Sequence, residues 1–141
     1  MPRVLAVDWG SRRVGLALSD PTGLLASGLP TLQVAGRLQA IEGVARVARE
    51  SEAERIVVGL PLLLSGERGE AAREAESFAA DLGLAAGLPV EMLDERLTSA
   101  LSTRRIHETG LRGAKARARI DQGAAIALLE TWLDRARARG A

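Results

Sequence analysis

Residues 4–20 read VLAVDWGSRRVGLALSD and mark the start of a β-sheet. Two runs rich in valine and leucine, residues 3–8 and 14–19, lie on either side of a turn of glycine, serine and arginine. Short apolar runs around such a turn predict a β-hairpin. The hairpin puts Asp8 at the end of its first strand, where a carboxylate can project from the sheet edge into a crevice.

Hydrophobic periodicity and the positions of glycine and proline predict the elements that follow the hairpin. Strands are expected at 29–34, 55–59 and 89–93, and helices at 37–49, 70–82, 98–108 and from about 121 onward, after a basic connector at 111–119. Pro30 favours a sheet edge for the third strand, whereas the β-branched run at 55–59, with no polar alternation, is typical of a buried parallel strand. This order predicts a single α/β domain over residues 1–141, with a five-stranded mixed sheet. Three antiparallel strands come first, two parallel strands follow, and helices cover both faces.

The composition excludes several kinds of protein and site. The 141 residues, 47% of them hydrophobic, can bury one sizeable core, but no apolar stretch is long enough to span a bilayer. The chain has no cysteine and one histidine, so any metal must be held mainly by oxygen. The first residues also lack the apolar run of a signal peptide. We therefore expect a cytoplasmic protein with no membrane partner.

Charge is unevenly distributed along the chain, although the formal net charge is only +1. Residues 1–95 carry nine arginines and fourteen acidic residues, a net charge of −5, whereas residues 96–141 carry ten basic and four acidic residues, a net charge of +6. A basic third of this kind can bind phosphates, although a solvated helix surface has the same composition. The candidate nucleic-acid-binding residues are Arg12, Arg96, Arg104, Arg105, Arg112, Lys115, Arg117 and Arg119. With two Trp, one Phe and no Tyr, we expect no base-stacking platform.

Three acidic residues stand at the boundaries of different predicted elements. Asp8 ends the first strand, Glu95 follows the fifth strand together with Asp94, and Asp121 opens the last helix. Each alone has an ordinary structural explanation, as a turn residue or a helix cap. Because the strands that lead to Asp8 and Glu95 are predicted to run parallel, however, their carboxylates should emerge at the same edge. Converging carboxylates repel one another and favour a cation, and oxygen ligands suit Mg²⁺ or Mn²⁺. The set predicts a site for two such ions and phosphoryl chemistry.

Four segments together resemble the YqgF family, the Holliday-junction-resolvase-like proteins regarded as pre-16S rRNA nucleases. They are VLAVDWGSRRVGLALSD, IVVGLPLLLSGERG, LDERLTS and IDQGAAIALLETWL, and they occur in this order over nearly the whole chain. The resemblance implies an RNase H-like fold and a role in trimming the 5′ end of precursor 16S rRNA. It matches Asp8, Glu95 and Asp121 to the family's acidic positions. The other motif residues are Gly10, Gly15, Gly59, Pro61 and Thr98, the last of which is also the predicted cap of the helix at 98–108.

Other functions remain compatible with these residues. A resolvase of branched DNA would use the same acids, and it would act as a symmetric dimer because it cuts two strands. The sequence leaves both a monomer and a homodimer open. A ribosome-assembly factor could bind rRNA without cutting it. An actin-like nucleotide-binding protein also has Asp-x-Gly after a strand, but it clamps its nucleotide between two domains, and this chain has room for one.

Overall fold

The computed structural model describes residues 2–98 and 114–140, with side chains at 2–98 and 122–140. The strands are β1 (Val4–Trp9), β2 (Arg13–Ser19), β3 (Ala26–Gln33), β4 (Arg55–Leu60) and β5 (Val90–Asp94). The helices of the described residues are α1 (Arg37–Glu50), α2 (Glu70–Ala86) and α3 (Ala114–Ala138), and a short 3-10 turn (Glu95–Leu97) follows β5.

The five strands form one mixed sheet in the order β3-β2-β1-β4-β5. β1 pairs antiparallel with β2, with Asp8 opposite Gly15, and β2 pairs antiparallel with β3. β4 lies parallel to β1, with Val58 beside Val7, and β5 lies parallel to β4. The predicted sheet of three antiparallel and two parallel strands is therefore confirmed. Because β1, β4 and β5 run in one direction, their carboxyl ends share one edge.

Strand alternation divides the apolar residues between two cores, one on each face of the sheet. Leu5 and Val7 pack under α1 and α2 in one core, which also contains Phe78. Val4 and Ala6 face the other way and pack under α3. The helices thus lie on both faces, as predicted, and even-numbered residues of β1 face α3. Among the described residues, no helix combines the length and the apolar character that a membrane span needs.

Apart from the start of the last helix, two boundaries lie three or more residues from the predicted ones because tertiary contacts extend the elements. α2 continues through Gly83 to Ala86, and it ends at Gly87, whose φ of 67° is left-handed. Gly83 lies against β5, where a Cβ atom would be 3.3 Å from Val90 Cγ2, so a helical glycine allows close packing there. β3 begins at Ala26 rather than at residue 29, since Ala26 pairs with Ser19 at the end of β2. Pro30 lies within this edge strand, as its missing N–H group permits.

The predicted start of the last helix is wrong. α3 begins at Ala114, so Asp121 lies two turns inside the helix and is not its N-cap. Residues 114–120, AKARARI, consist largely of strong helix formers, and the helix extends through most of the predicted connector. The predicted helix at 98–108 lies outside the described residues except for Thr98, as do Arg104, Arg105 and Arg112. The side chains of Lys115, Arg117, Arg119 and Asp121 are also outside the described set.

Candidate active site

Asp8 lies at the carboxyl edge of the sheet, yet its side chain is only 5% exposed. It follows Val4 and Ala6 on the alternating face of β1 that packs under α3. The carboxylate therefore faces the helix whose backbone carries Asp121. Gly15 is the residue opposite Asp8 on β2.

Glu95 begins the 3-10 turn after β5, and it is more deeply buried than Asp8, at 2% exposed. Its neighbours in the chain shape this turn. The carboxylate of Asp94 accepts the backbone N–H of Arg96 at 2.9 Å and forms an ion pair with its guanidinium at 2.8 Å. The Thr98 hydroxyl donates to the Glu95 carbonyl at 2.9 Å. These bonds close the turn around Glu95 and fix the backbone from which its side chain extends.

Gly59 on β4 makes room for the Glu95 side chain. A Cβ atom at Gly59 would lie 2.6 Å from Glu95 Oε1 and 3.1 Å from its Cγ, so the glutamate occupies the space of the missing side chain. The parallel pairing of Val7 with Val58 puts Asp8 beside Gly59 on the next strand. Neighbouring strands lie about 4.8 Å apart. Glu95 thus reaches across β4 towards Asp8, and the two carboxylates converge on one face at one edge of the sheet.

The environment of Glu95 favours its neutral form in the absence of a cation. Burial raises the pKa of its carboxyl group to about 7, and the negative charge of Asp94 contributes in the same direction. By contrast, the hydrogen bond from the Arg96 side chain lowers the pKa of Asp94. A cation beside Glu95 would offset both causes of the upward shift and favour the carboxylate.

The described residues include two of the three predicted metal ligands, Asp8 and Glu95. Within 2–98 and the described part of α3, no group of three potential ligands comes together. The third predicted ligand is Asp121, whose side chain lies outside the described set. Its neighbour Gln122 donates from Nε2 to the Leu29 carbonyl at 2.7 Å and so attaches this part of α3 to β3. Buried carboxylate oxygens are the donor type that Mg²⁺ and Mn²⁺ prefer, and Asp8 and Glu95 fit that requirement.

A cleft of about 250 Å³ opens beside Glu95 between the sheet edge and α2. Its lining residues are Trp9, Gly10, Ser11, Gly59, Pro61, Ala71, Glu74, Ala75 and Glu95. The ring of Trp9 stacks on that of Phe78 with centroids 4.3 Å apart and an interplanar angle of 3°. The sequence prediction missed Trp9 and Glu74 as cleft residues. The signal present in the sequence was the helical spacing of Ala71, Glu74, Ala75 and Phe78, which marks one face of α2.

The other motif residues support this edge of the sheet. The Gly10 N–H donates to the Arg13 carbonyl at 3.0 Å, and a Cβ atom at Gly10 would lie 2.9 Å from that oxygen. Glycine therefore permits the tight turn between β1 and β2. Pro61 follows β4 and forms part of the cleft wall. Arg12 is exposed in the hairpin turn, whereas Arg96 is held by Asp94 and lies within 3.5 Å of the Leu64 carbonyl.

Solved structures with the same fold include RuvC of Thermus thermophilus. RuvC in complex with a Holliday junction substrate superposes with a TM-score of 0.60 over 96% of both chains, at 17% sequence identity. A second RuvC structure from this organism gives a TM-score of 0.57 over the same share of each chain. RuvC has an RNase H-like fold, and the predicted fold is confirmed.

Several relatives match nearly the whole chain. A protein of Chloroflexus aurantiacus is 43% identical over 93% of this chain and 86% of its own length. Proteins of Mycobacterium ulcerans and Anaeromyxobacter dehalogenans are 40% and 41% identical over 96% and 94% of this chain, covering 80% and 97% of their own lengths. All three bear the name "Putative pre-16S rRNA nuclease". A family model described as "RuvX: Holliday junction resolvase" matches residues 2–135. The resemblance drawn from four sequence segments is thus confirmed, and the chain belongs to the RuvX family, also called YqgF.

Proposed function

We propose that this protein is a metal-dependent nuclease that hydrolyses phosphodiester bonds and processes the 5′ end of precursor 16S rRNA. The observation that carries the proposal is the convergence of Asp8 and Glu95 over Gly59 at one edge of the sheet. Two buried carboxylates on one face of a sheet are costly for stability unless a cation or a proton neutralises them, and one of the two, Glu95, lines an open cleft. Their position at the carboxyl ends of parallel strands is typical of α/β active sites.

Asp8, Glu95 and Asp121 would hold two divalent cations, Mg²⁺ or Mn²⁺. When bound, such ions polarise a phosphoryl group and lower the pKa of water. Glu95 would release the proton that burial otherwise retains on it, and the Asp94–Arg96 ion pair would hold its backbone in place. Asp8, on the central strand β1, would hold a cation at the carboxyl edge of the sheet.

The basic part of the chain is proposed to bind the nucleic-acid backbone. Uncompensated carboxylates repel a phosphodiester, so a nuclease of this kind needs cations on the protein as well as bound metal. Residues 96–141 carry a net charge of +6, and the sequence from Arg104 to Arg119 runs directly into the α3 segment with Asp121. Backbone contacts of this type position a substrate with little base selectivity.

The names of the relatives favour precursor 16S rRNA as the substrate. Ribosome maturation also fits a cytoplasmic protein. The family description favours branched DNA as a second candidate substrate. Since a junction resolvase cuts two strands symmetrically, that function requires a dimer, whereas rRNA trimming is compatible with a monomer.

Cleavage assays with three labelled substrates test the proposal: single-stranded RNA, precursor 16S rRNA and a four-way DNA junction. Each is incubated with Mn²⁺ or with EDTA, using wild type and Asp8→Asn. We expect Mn²⁺-dependent cutting of the precursor that the variant loses. Symmetric cutting of the junction alone would favour a resolvase. Cutting that persists in EDTA or in Asp8→Asn would contradict the proposed site, and full complementation by Asp8→Asn in cells would favour a non-catalytic assembly factor.

A further inference from the structure

The cleft beside Glu95 has an aromatic wall that the metal site does not explain. Trp9 directly follows Asp8 in β1, so its side chain faces the opposite side of the sheet, towards α2. Phe78, which is completely buried, covers part of the indole ring in a parallel stack. Trp9 itself remains partly exposed and lines the cleft. A rigid aromatic side chain therefore stands one residue away from a proposed metal ligand.

The charges of the cleft select against a phosphate in it. Apart from Glu95, whose charge the proposed cations would compensate, its lining carries one acidic residue, Glu74, and none of the residues that form the described wall is Lys or Arg. A phosphate in this space would be repelled, whereas an uncharged group would not. The rest of the wall is mostly apolar, with Pro61, Ala71 and Ala75. The cleft thus fits the flat, uncharged part of a nucleotide better than its backbone.

Although the low aromatic content predicted no base-stacking platform, we propose that this cleft, the aromatic cleft, binds one unpaired nucleobase adjacent to the phosphodiester that is cut. The inference rests on the proposed nuclease function and deepens it, because it makes single-stranded nucleic acid the preferred substrate. The volume of about 250 Å³ accommodates one base rather than a stacked pair of strands. In a duplex the faces of each base are covered by its neighbours, whereas a base in a single strand can leave the stack and contact an aromatic side chain.

The fluorescence emission of Trp9 provides a direct test of the preference for single strands. The chain has two tryptophans, and Trp132 packs on the other face of the sheet, where its indole N–H donates to Glu91 at 2.6 Å. In Trp132→Phe combined with Asp8→Asn, Trp9 is the remaining tryptophan and the substrate is not cut. This protein is titrated in Mn²⁺ with an end-labelled RNA 12-mer and with the same strand annealed to its complement, and anisotropy of the label reports saturation. We expect the single strand to change Trp9 emission at saturation and the duplex to leave it unchanged.

Substitutions at Trp9 provide the matched affinity measurement. Trp9→Leu should weaken single-strand binding roughly tenfold, as expected for the loss of one base–aromatic contact, with less than about a twofold change for the duplex. Trp9→Phe should retain most of the wild-type affinity for the single strand, because it keeps an aromatic ring. Unchanged Trp9 emission at saturation would overturn the inference, as would equal losses for single strand and duplex. If Trp9→Leu does not fold, Trp9→Phe and the emission change decide between these outcomes.

Cleavage by wild type in the same buffer separates this inference from the nuclease proposal. Cutting of the precursor with no response from Trp9 would reject the base-binding cleft and leave the nuclease in place. A response from Trp9 with no cutting would retain the cleft and reject the nuclease.

Discussion

Glu95 shows how a single missing side chain shapes the proposed site. Its carboxyl group is buried over Gly59, and a Cβ atom there would come within 2.6 Å of Oε1. Burial then raises the pKa of Glu95 to about 7. The position of Glu95 thus depends on the missing side chain at Gly59, and its protonation state depends on burial. Each dependence can be tested separately.

Glu95→Gln should change the pH dependence of stability in the metal-free protein. The folded pKa is raised from 4.5 to about 7, so folding retains a proton that the unfolded chain releases. The retained proton stabilises the fold fully below pH 4.5, and this stabilisation is lost as the pH rises through about 7. The free energy of unfolding falls by about 3 kcal/mol in all. Urea denaturation in EDTA at pH 5 and pH 8 measures this loss. We expect it to disappear in Glu95→Gln and to persist in Glu42→Gln, which alters an exposed carboxylate of α1. If Glu95→Gln loses as much unfolding free energy between pH 5 and pH 8 as wild type does, the raised pKa does not belong to Glu95.

Gly59→Ala should displace Glu95 and impair catalysis with little change in overall fold. A misplacement of about 1 Å at a reacting group can lower the rate by about a hundredfold. Gly36→Ala is the matched control, because a Cβ atom at Gly36 meets no atom within 4 Å. For both variants, the rate of precursor cleavage measures catalysis and a titration with Mn²⁺ measures cation binding. Equal activity in the two would show that the close contact between Gly59 and Glu95 is unimportant.

At the scale of secondary-structure elements, the register of α3 on the sheet controls where Asp121 lies. Gln122 donates to the Leu29 carbonyl of β3, and a Cβ atom at Gly28 would lie 3.2 Å from the Gln122 side chain. Gly28 therefore lets α3 approach the edge strand closely at Gln122. The contact spans 93 residues of sequence, so no local pattern could have revealed it.

Gln122→Ala should reduce the cleavage rate more than it reduces stability. Loss of one partly buried hydrogen bond costs about 1 kcal/mol of unfolding free energy. The rate should fall by tenfold or more if this contact sets the position of Asp121, since positioning errors act on the transition state. Urea midpoints and kcat measure the two effects, with Glu130→Ala on the exposed side of α3 as the control. A loss of stability with unchanged kcat would give Gln122 a purely structural role.

Over the whole molecule, an acidic first part supplies the proposed catalytic carboxylates Asp8 and Glu95, and a basic last part supplies the proposed backbone contacts. Residues 1–95 carry a net charge of −5 and residues 96–141 one of +6. Such a division lets a nearly neutral protein attract a polyanion to one region without binding it everywhere. It also predicts strong dependence of binding on ionic strength.

Replacement of Arg117 and Arg119 together by alanine should weaken RNA binding and flatten its salt dependence. Each lost phosphate contact on a single strand lowers the slope of log K against log salt by about 0.7. Two contacts therefore predict a reduction of about 1.4 in the magnitude of the slope. Titrations between about 50 and 200 mM salt measure it. Arg46→Ala, in the acidic part of the chain, is the control, and an unchanged slope in the double variant would exclude both arginines as phosphate contacts.

The fold was predictable from sequence where local patterns and element order agree. Short apolar runs predicted all five strands, and the uninterrupted β-branched residues at 56–58 predicted the parallel strand that became β4, next to β1 at the centre of the sheet. Boundaries were less predictable, since α3 extends back to Ala114 on strong helix formers and α2 continues through Gly83 because glycine fits against Val90. Helix propensity is weak per residue, and tertiary contacts outweigh it.

By itself, the sequence determined the fold class and the family and marked three acidic residues as candidates, because these depend on local periodicity and on motifs in a fixed order. Only the tertiary structure decided that Glu95 lies over Gly59 with a raised pKa, and that Trp9 and Phe78 form a wall of the cleft. Gly59 and Glu95 are 36 residues apart, and Trp9 and Phe78 are 69 apart. Contacts at such separations, and the burial that shifts a pKa, exist only once β1, β4, β5 and α2 pack together, so no neighbouring residue in the chain encodes them.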